Sequence, residues 1–285
     1  MKYVVLIGDG MSDWPMDELD GKTPLMVADT PHLDSMVREG MGDWCQITPE
    51  GYSPGSDVAN LGVLGYDVSG CYTGRSPLEA AAMGVELADD DVAFRCNLVT
   101  LSEDFSVMED FSAGHITNDE AAELIVFVNA RSGSETLRFY PGVSYRHLLV
   151  WSGGSTAMEC TPPHDISDQS IVDHLPSGSG SDIIFRLMRE SWQMLSDHPV
   201  NKARIERGLR PANSIWLWGQ GNRPAVQTFQ DRFGKSGGMI SAVDLLKGIA
   251  VNIGFENYTV AGATGWIDTN YEGEGRGLHR RPETP

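Results

Sequence analysis

Tyr3-Val4-Val5-Leu6-Ile7-Gly8-Asp9-Gly10 stands almost at the start of the chain. An unbroken apolar run with no polar alternation reads as a strand buried on both faces, which is the pattern of a parallel sheet. The run ends in glycine and sets one carboxylate, Asp9, between Gly8 and Gly10. Open α/β sheets bind ligands beyond the carboxyl ends of their strands. Asp9 therefore sits where either a hard-metal ligand or a plain turn carboxylate belongs. A dinucleotide fingerprint is excluded, because Asp13 occupies the place of the third glycine in G-x-G-x-x-G.

The second informative stretch is Ser53-Pro54-Gly55-Ser56-Asp57-Val58-Ala59-Asn60-Leu61-Gly62. Proline and glycine deliver the chain to a serine, and a helix-compatible apolar run follows. Ser56 is thus expected at or beside a helix N-terminus, where open N–H groups and the helix dipole favour an anion. A hydroxyl held there becomes a nucleophile when a base or a metal activates it. On spacing alone a simple N-cap serine is the commoner reading.

The chain has 285 residues, 41% of them hydrophobic, and a formal charge of −19. That length suits one large domain or two modest ones. The acidic balance argues against nucleic acid or an anionic membrane as a partner. It leaves room for a small anionic substrate, since a local arginine cluster outweighs a distant acidic surface. Four cysteines, Cys45, Cys71, Cys96 and Cys160, form no C-x-x-C pair, so neither a zinc site nor a disulfide framework is indicated. No membrane span and no signal peptide are legible, and a soluble cytoplasmic protein is expected.

Thr30-Pro31 opens a helix that Gly40 ends, and Met41 to Ile47 reads as a strand. Ser76-Pro77-Leu78-Glu79 has the form of a capping box, with Arg75 before it as a possible phosphate ligand. From Asp89 the texture changes. Val92–Leu101 alternates as a strand, Phe105–Met108 pairs with it, Asn118–Ala130 is a helix, and 137–140 and 145–151 are further strands. Short turns between strands predict an antiparallel α+β unit inserted into the first domain. It concentrates Arg95, Arg131, Arg138, Arg146, His115, His147 and His164. A helix over 179–197 leads out of it. Ser214–Gly221, Met239-Ile240 and Tyr258–Val260 then read as strands of the returning parallel sheet, with a helix over 241–251 between the last two.

Gly8-Asp9-Gly10-Met11, Pro54-Gly55-Ser56-Asp57-Val58-Ala59-Asn60-Leu61, Phe94-Arg95-Cys96-Asn97, Ser112-Ala113-Gly114-His115-Ile116, Phe139-Tyr140-Pro141-Gly142-Val143-Ser144-Tyr145-Arg146, Thr161-Pro162-Pro163-His164-Asp165 and Ser214-Ile215-Trp216-Leu217-Trp218-Gly219-Gln220-Gly221 occur in this order. Together they closely resemble the archaeal-type cofactor-independent phosphoglycerate mutases of the alkaline phosphatase superfamily. The resemblance implies an α/β fold, with a mostly parallel sheet, helices on both faces and an inserted α+β domain. The expected division is 1–88 with 205–285 for the metal and nucleophile domain, and 89–204 for the substrate domain. It implies an isomerase that moves a phosphoryl group between the 3- and 2-positions of phosphoglycerate, without 2,3-bisphosphoglycerate and with two divalent ions, manganese or magnesium. It puts the nucleophile at Ser56, metal ligands at Asp9 and Ser56, and substrate contacts at His115, Arg146, Arg95, His164 and Lys247. The family's later Asp and His ligands have no match here, and only His279 lies beyond Asp268. A truncated, impaired member is therefore the expectation. A metal-dependent phosphatase and a non-catalytic phosphate binder are the competing readings.

Overall fold

The computed structural model describes residues 2–52, 54–265 and 268–277. Expectations that fall on Ser53, on 266–267 and on the tail from 278, His279 included, lie outside these residues. The chain divides into two compact units, Met1–Val68 and Ser69–Pro285.

The first unit holds helix α1, Pro31–Glu39, with Thr30 before it and Gly40 at its end. It also holds helix α2, Ser56–Val63. The strand expected at Tyr3–Gly8 is not formed, and Tyr3 and Leu6 are 72% and 71% exposed. The strand expected at Met41–Ile47 is absent too. The reason is physical: an apolar run becomes a strand only against a ladder partner. The described residues of this unit offer no strand, only an isolated bridge between Met16 and Lys22.

The second unit is built on an antiparallel sheet. Its centre is β1, Asp91–Leu101, buried along its whole length. Downstream follow β2, Val107–Asp110, helix α4, Asn118–Ser132, β3, Leu137–Val143, and β4, Arg146–Ser152. Helix α3, Ser76–Ala82, precedes the sheet. Helices α5, Ser181–Leu195, and α6, Pro199–Glu206, lead to β5, Ser214–Asn222. β1 pairs antiparallel with β2, β4 and β5, and β3 pairs with β4.

Period two assigns the faces of β1. Phe94, Cys96 and Leu98 enter the main core with Leu124, Ile125 and Val128 of α4 and Ile184, Leu187 and Met188 of α5. Each such side chain contributes about 1.5–3 kcal/mol by leaving water. The opposite face carries Ala93, which packs with Ala80 of α3 and with Leu148 and Val150. Arg95 and Asn97 share the parity of Ala93; Arg95 bonds to Ser76 and Glu79 of α3, and Asn97 to Trp218 and the Phe111 carbonyl.

β5 corrects the sequence reading. Ile215-Trp216-Leu217-Trp218 was expected in a parallel sheet, but it runs antiparallel to β1. A continuous apolar run reports burial on both faces, and a central antiparallel strand covered on both sides meets that condition as well. The architecture is thus mixed α/β with a mostly antiparallel sheet, not the mostly parallel one expected. The parallel pairing seen is short: β6, Gly238–Met239, beside β7, Glu256–Asn257, joined through helix α7, Asp244–Asn252. Tyr271–Gly277 is helical. Among the described residues no helix is long and apolar enough to cross a membrane.

Helix α7 lies close on α3 because Gly248 has no side chain. A Cβ there would stand 1.8 Å from the Leu78 carbonyl oxygen. Gly248→Ala is therefore expected to lower stability by about 1–3 kcal/mol, through forced separation of the two helices. A urea midpoint equal to that of the parent would contradict this.

Candidate active site

In the first unit, the chain makes a tight turn at Gly8-Asp9-Gly10-Met11, where the Met11 N–H donates to the Gly8 carbonyl. Gly10 has φ +75°, the left-handed value that glycine supplies without strain. The turn presents the exposed Asp9 carboxylate. Helix α2 begins at Ser56, with Gly55 as its extended N-cap and no side-chain cap. The plain N-cap reading of Ser56 is therefore set aside. Its hydroxyl donates to Asp9 Oδ2 at 3.1 Å, across 47 positions of sequence. Around it, the buried Asp57 accepts the Val58 N–H at 3.0 Å, and Asn60 donates to the Ser56 carbonyl at 2.7 Å. These bonds fix the first turn and leave the Ser56 hydroxyl to the carboxylate.

In the second unit, the five basic residues that the resemblance names as substrate contacts come together, four through a chain of rings and Lys247 through Asp244. His115 meets Tyr145 edge-on at 5.9 Å, Tyr145 meets Phe111 at 5.8 Å, Phe111 meets His164 at 6.2 Å, and His164 meets Trp218 at 5.3 Å. Arg146 lies 5.6 Å from the Tyr145 ring and Arg95 4.7 Å from the Trp218 ring. Asp244 ties in Lys247, since Lys247 Nζ is 3.3 Å from Asp244 Oδ1 and Arg146 is 4.0 Å from Oδ2. Arg131 and Arg138 instead make local contacts, with Phe127 and Asp91.

His115 is presented by an unusual backbone. Ala113, Gly114 and His115 have φ of +49°, +64° and +50°, and non-glycine residues there carry strain. The turn is held from both sides. Asp110 accepts from the Ser112 N–H at 2.7 Å and the Gly114 N–H at 3.0 Å, and Arg204 donates to the Ala113 carbonyl at 2.7 Å.

The capping box read at Ser76–Glu79 does not form. The Ser76 hydroxyl bonds to the Gly219 carbonyl and accepts the Arg95 N–H at 2.6 Å, while Glu79 binds arginines. By contrast, Thr117 does cap α4: its hydroxyl accepts the Glu120 N–H at 3.4 Å and donates to the Glu120 carboxylate at 2.9 Å. Sequence reasoning did not single out Glu79, Tyr145, Trp218 or Asp244, which the structure sets against the basic residues. The sequence signal that points to Glu79 is Arg75 at i−4, a spacing that favours an ion pair.

Burial holds the Arg95 guanidinium down at about 10, with Glu79 opposing and Arg75 and Arg146 adding. His164 is also held below its usual range, by burial first, against Asp165 and with Arg95 and Arg75. It is therefore neutral at pH 7. His147 serves the fold rather than the ring chain. Its Nδ1 accepts the Gly142 N–H at 2.9 Å, and burial pushes its pKa down to about 3. Above its ordinary value near 6.5 the group costs nothing; between there and about 3 only the unfolded chain binds the proton. Stability is expected to fall as pH drops through that window, by up to about 1.4 kcal/mol per unit. His147→Asn should flatten the dependence in denaturant titrations at stepped pH, and an unchanged slope would refute the assignment.

A family model described as 2,3-bisphosphoglycerate-independent phosphoglycerate mutase matches residues 38–201. A Geobacter sulfurreducens protein named probable 2,3-bisphosphoglycerate-independent phosphoglycerate mutase is 56% identical over 276 residues, covering 96% of this chain and 69% of that one. The Methanosarcina acetivorans protein named 2,3-bisphosphoglycerate-independent phosphoglycerate mutase is 52% identical, with coverage of 96% and 69%. A solved structure from Pyrococcus horikoshii aligns at a TM-score of 0.69 and 29% identity, over 92% of this chain and 62% of that one. The cofactor-independent phosphoglycerate mutase of Thermoplasma acidophilum aligns at 0.54 and 27% identity, over 94% and 71%. This chain therefore spans a little over two thirds of those curated relatives and less than two thirds of the Pyrococcus chain. Identity of this order along nearly the whole chain places it, by descent, in the family of 2,3-bisphosphoglycerate-independent phosphoglycerate mutases, which are isomerases.

Proposed function

We propose that the chain interconverts 3-phosphoglycerate and 2-phosphoglycerate through a phosphoserine at Ser56. The observation that carries this is the hydrogen bond from Ser56 to Asp9 at the head of α2. Ser56 Oγ bonds to phosphorus while the bond from phosphorus to the glycerate oxygen breaks. The hydroxyl proton moves towards Asp9, and the departing glycerate oxygen takes up a proton. Transfer back to the 2-hydroxyl runs the same events in reverse. Arg146, Arg95 and Lys247 supply positive charge for the acid, and His115 and His164 supply ring nitrogens for hydrogen bonds to it. In this reading Ser56 and Asp9 belong to an alkaline-phosphatase-like domain over 1–88 and 205–285. Residues 89–204 supply the substrate domain, whose sheet also takes in β5. The enzyme is cytoplasmic, in glycolysis and gluconeogenesis.

The family resemblance implies two divalent ions. Asp9 and Ser56 are hard oxygen donors of the kind manganese or magnesium takes, but a near-octahedral ion needs about six donors. No group of three or more His, Cys, Asp or Glu is brought together among the described residues. The donors described do not make up a metal site.

The test is phosphorus NMR of the chain with 3-phosphoglycerate and manganese, with peptide mapping for phosphoserine. A growing 2-phosphoglycerate signal and label on Ser56 are expected. Free phosphate in its place would make the protein a phosphatase. Binding without any product would make it a non-catalytic binder.

A further inference from the structure

We propose that Glu79 is a positioning residue whose carboxylate holds Arg75 as a fork for the anionic oxygens of the phosphoglycerate. The inference rests on the proposed substrate. One oxygen, Glu79 Oε1, accepts both from Arg75 Nε at 3.0 Å and from Arg95 Nη1 at 2.7 Å. The two guanidinium groups are thereby tied to one point, and both lie over the Trp218 ring, at 5.8 and 4.7 Å. Trp218 is itself fixed, since its Nε1–H donates to Asn97 at 3.1 Å.

The backbone is shaped for this pair. The pairing of β1 with β5 shifts register between Ala93 and Arg95, and such bulges re-aim side chains. Gly219, at φ +65°, faces the gap: a Cβ there would lie 3.5 Å from Ser76 Oγ, 3.8 Å from Arg75 Cβ and 3.9 Å from Arg95 Cδ. The residue that sequence rules assign to a helix cap has been diverted to hold arginines.

The two arginines differ in access. The Arg95 side chain is 5% exposed and that of Arg75 is 32% exposed. Arg95 Nε is buried without a partner, an unsatisfied donor of the kind folded proteins rarely keep. Arg75 spends only its Nε on Glu79, and its two terminal nitrogens have no protein partner among the described residues. They are parallel donors of the kind that bind carboxylate or phosphate bidentately. Arg95 stands behind as a fixed charge. Arg75 and Arg146 both act on Arg95 against the Glu79 carboxylate, and Asp244 lies 4.0 Å from Arg146; three guanidinium groups thus face two carboxylates, and an arriving anion relieves the excess charge.

A positioning role and a simple charge role predict opposite signs. Were Glu79 only a negative charge near the site, Glu79→Gln would tighten anion binding. As a positioning residue its loss frees Arg75, and binding weakens. Calorimetric titration of the purified chain with 3-phosphoglycerate is expected to show Kd raised about tenfold in Glu79→Gln and in Arg75→Gln, with partial recovery in Glu79→Asp. Arg75→Lys keeps the charge, loses the fork and should also bind more weakly. Arg75 is partly exposed, so its variants stay informative if Glu79→Gln fails to fold. Arg138→Gln, at an arginine that contacts Ser152 and Asp91 and not Glu79, should bind as the parent does. Competition by inorganic phosphate but not glycerate assigns the fork to the phosphate; the reverse assigns it to the carboxylate; both outcomes uphold it. Unchanged Kd in the Arg75 variants, tighter binding in Glu79→Gln, or no binding by the parent chain would overturn it. The readout is binding, so loss of turnover with binding intact strikes only the proposed phosphoserine chemistry.

Discussion

Ser56→Ala is expected to abolish isomerisation, a loss of at least a thousandfold, on the order seen when a covalent nucleophile is removed. The substitution deletes one oxygen and one hydrogen bond, to an exposed carboxylate. Helix α2 does not depend on that hydroxyl, because its N-cap is Gly55 and its first turn is secured by Asp57 and Asn60. Alanine is also the best helix former. Stability should change by less than about 1 kcal/mol, and affinity for phosphoglycerate should persist. Activity, melting temperature and binding measured together separate chemistry from fold. Undiminished isomerisation in the variant would end the phosphoserine reading.

The largest effect on stability is expected from Arg204→Met. Arg204 is 2% exposed, yet every arm of its guanidinium is used. Nε donates to the Arg210 carbonyl at 2.9 Å, Nη2 to the Ala113 carbonyl at 2.7 Å, and Nη1 to Glu120 at 2.5 Å. Methionine fills similar space but leaves two carbonyls and part of a carboxylate unpaired. Removing one partner of such a buried pair costs about 3–5 kcal/mol; Glu120 keeps Arg207, which favours the lower end. A fall in melting temperature of roughly 6–12 °C follows for a unit of this size. The left-handed turn at 113–115 loses one of its two clamps, so His115 should broaden in NMR spectra while resonances of β1 stay sharp. A melting temperature within 2 °C of the parent's, about the shift of 1 kcal/mol, would count against this account.

Much of the second unit was legible because its signals are local. Alternation in Val92–Leu101 gave both the strand and the polar parity of Arg95 and Asn97. The helix read over Asn118–Ala130 is α4, Asn118–Ser132. The basic residues were picked out one by one, and the structure links His115, Arg146, Arg95, His164 and Lys247 through shared rings and one aspartate. What failed was whatever depended on distant partners. Tyr3–Ile7 reads as a strand, but strand formation needs a ladder that composition does not supply. Ser214–Gly221 reads as parallel because burial on two faces looks the same in either orientation. Ser76 and Glu79 have the spacing of a cap, and only the fold reveals that a carbonyl at Gly219 and two arginines compete successfully for them.

The central place of β1 also has a consequence for biosynthesis. Leu101 exchanges hydrogen bonds with Asn213, 112 positions further along the chain. Its neighbour β4 is made early, but one edge of β1 stays unpaired until β5 leaves the ribosome. At about 5–20 residues per second that interval lasts roughly 6–20 s. During translation, then, an edge of unpaired N–H and C=O groups waits in water for its last strand, and the nascent protein is at its most chaperone-dependent in that interval.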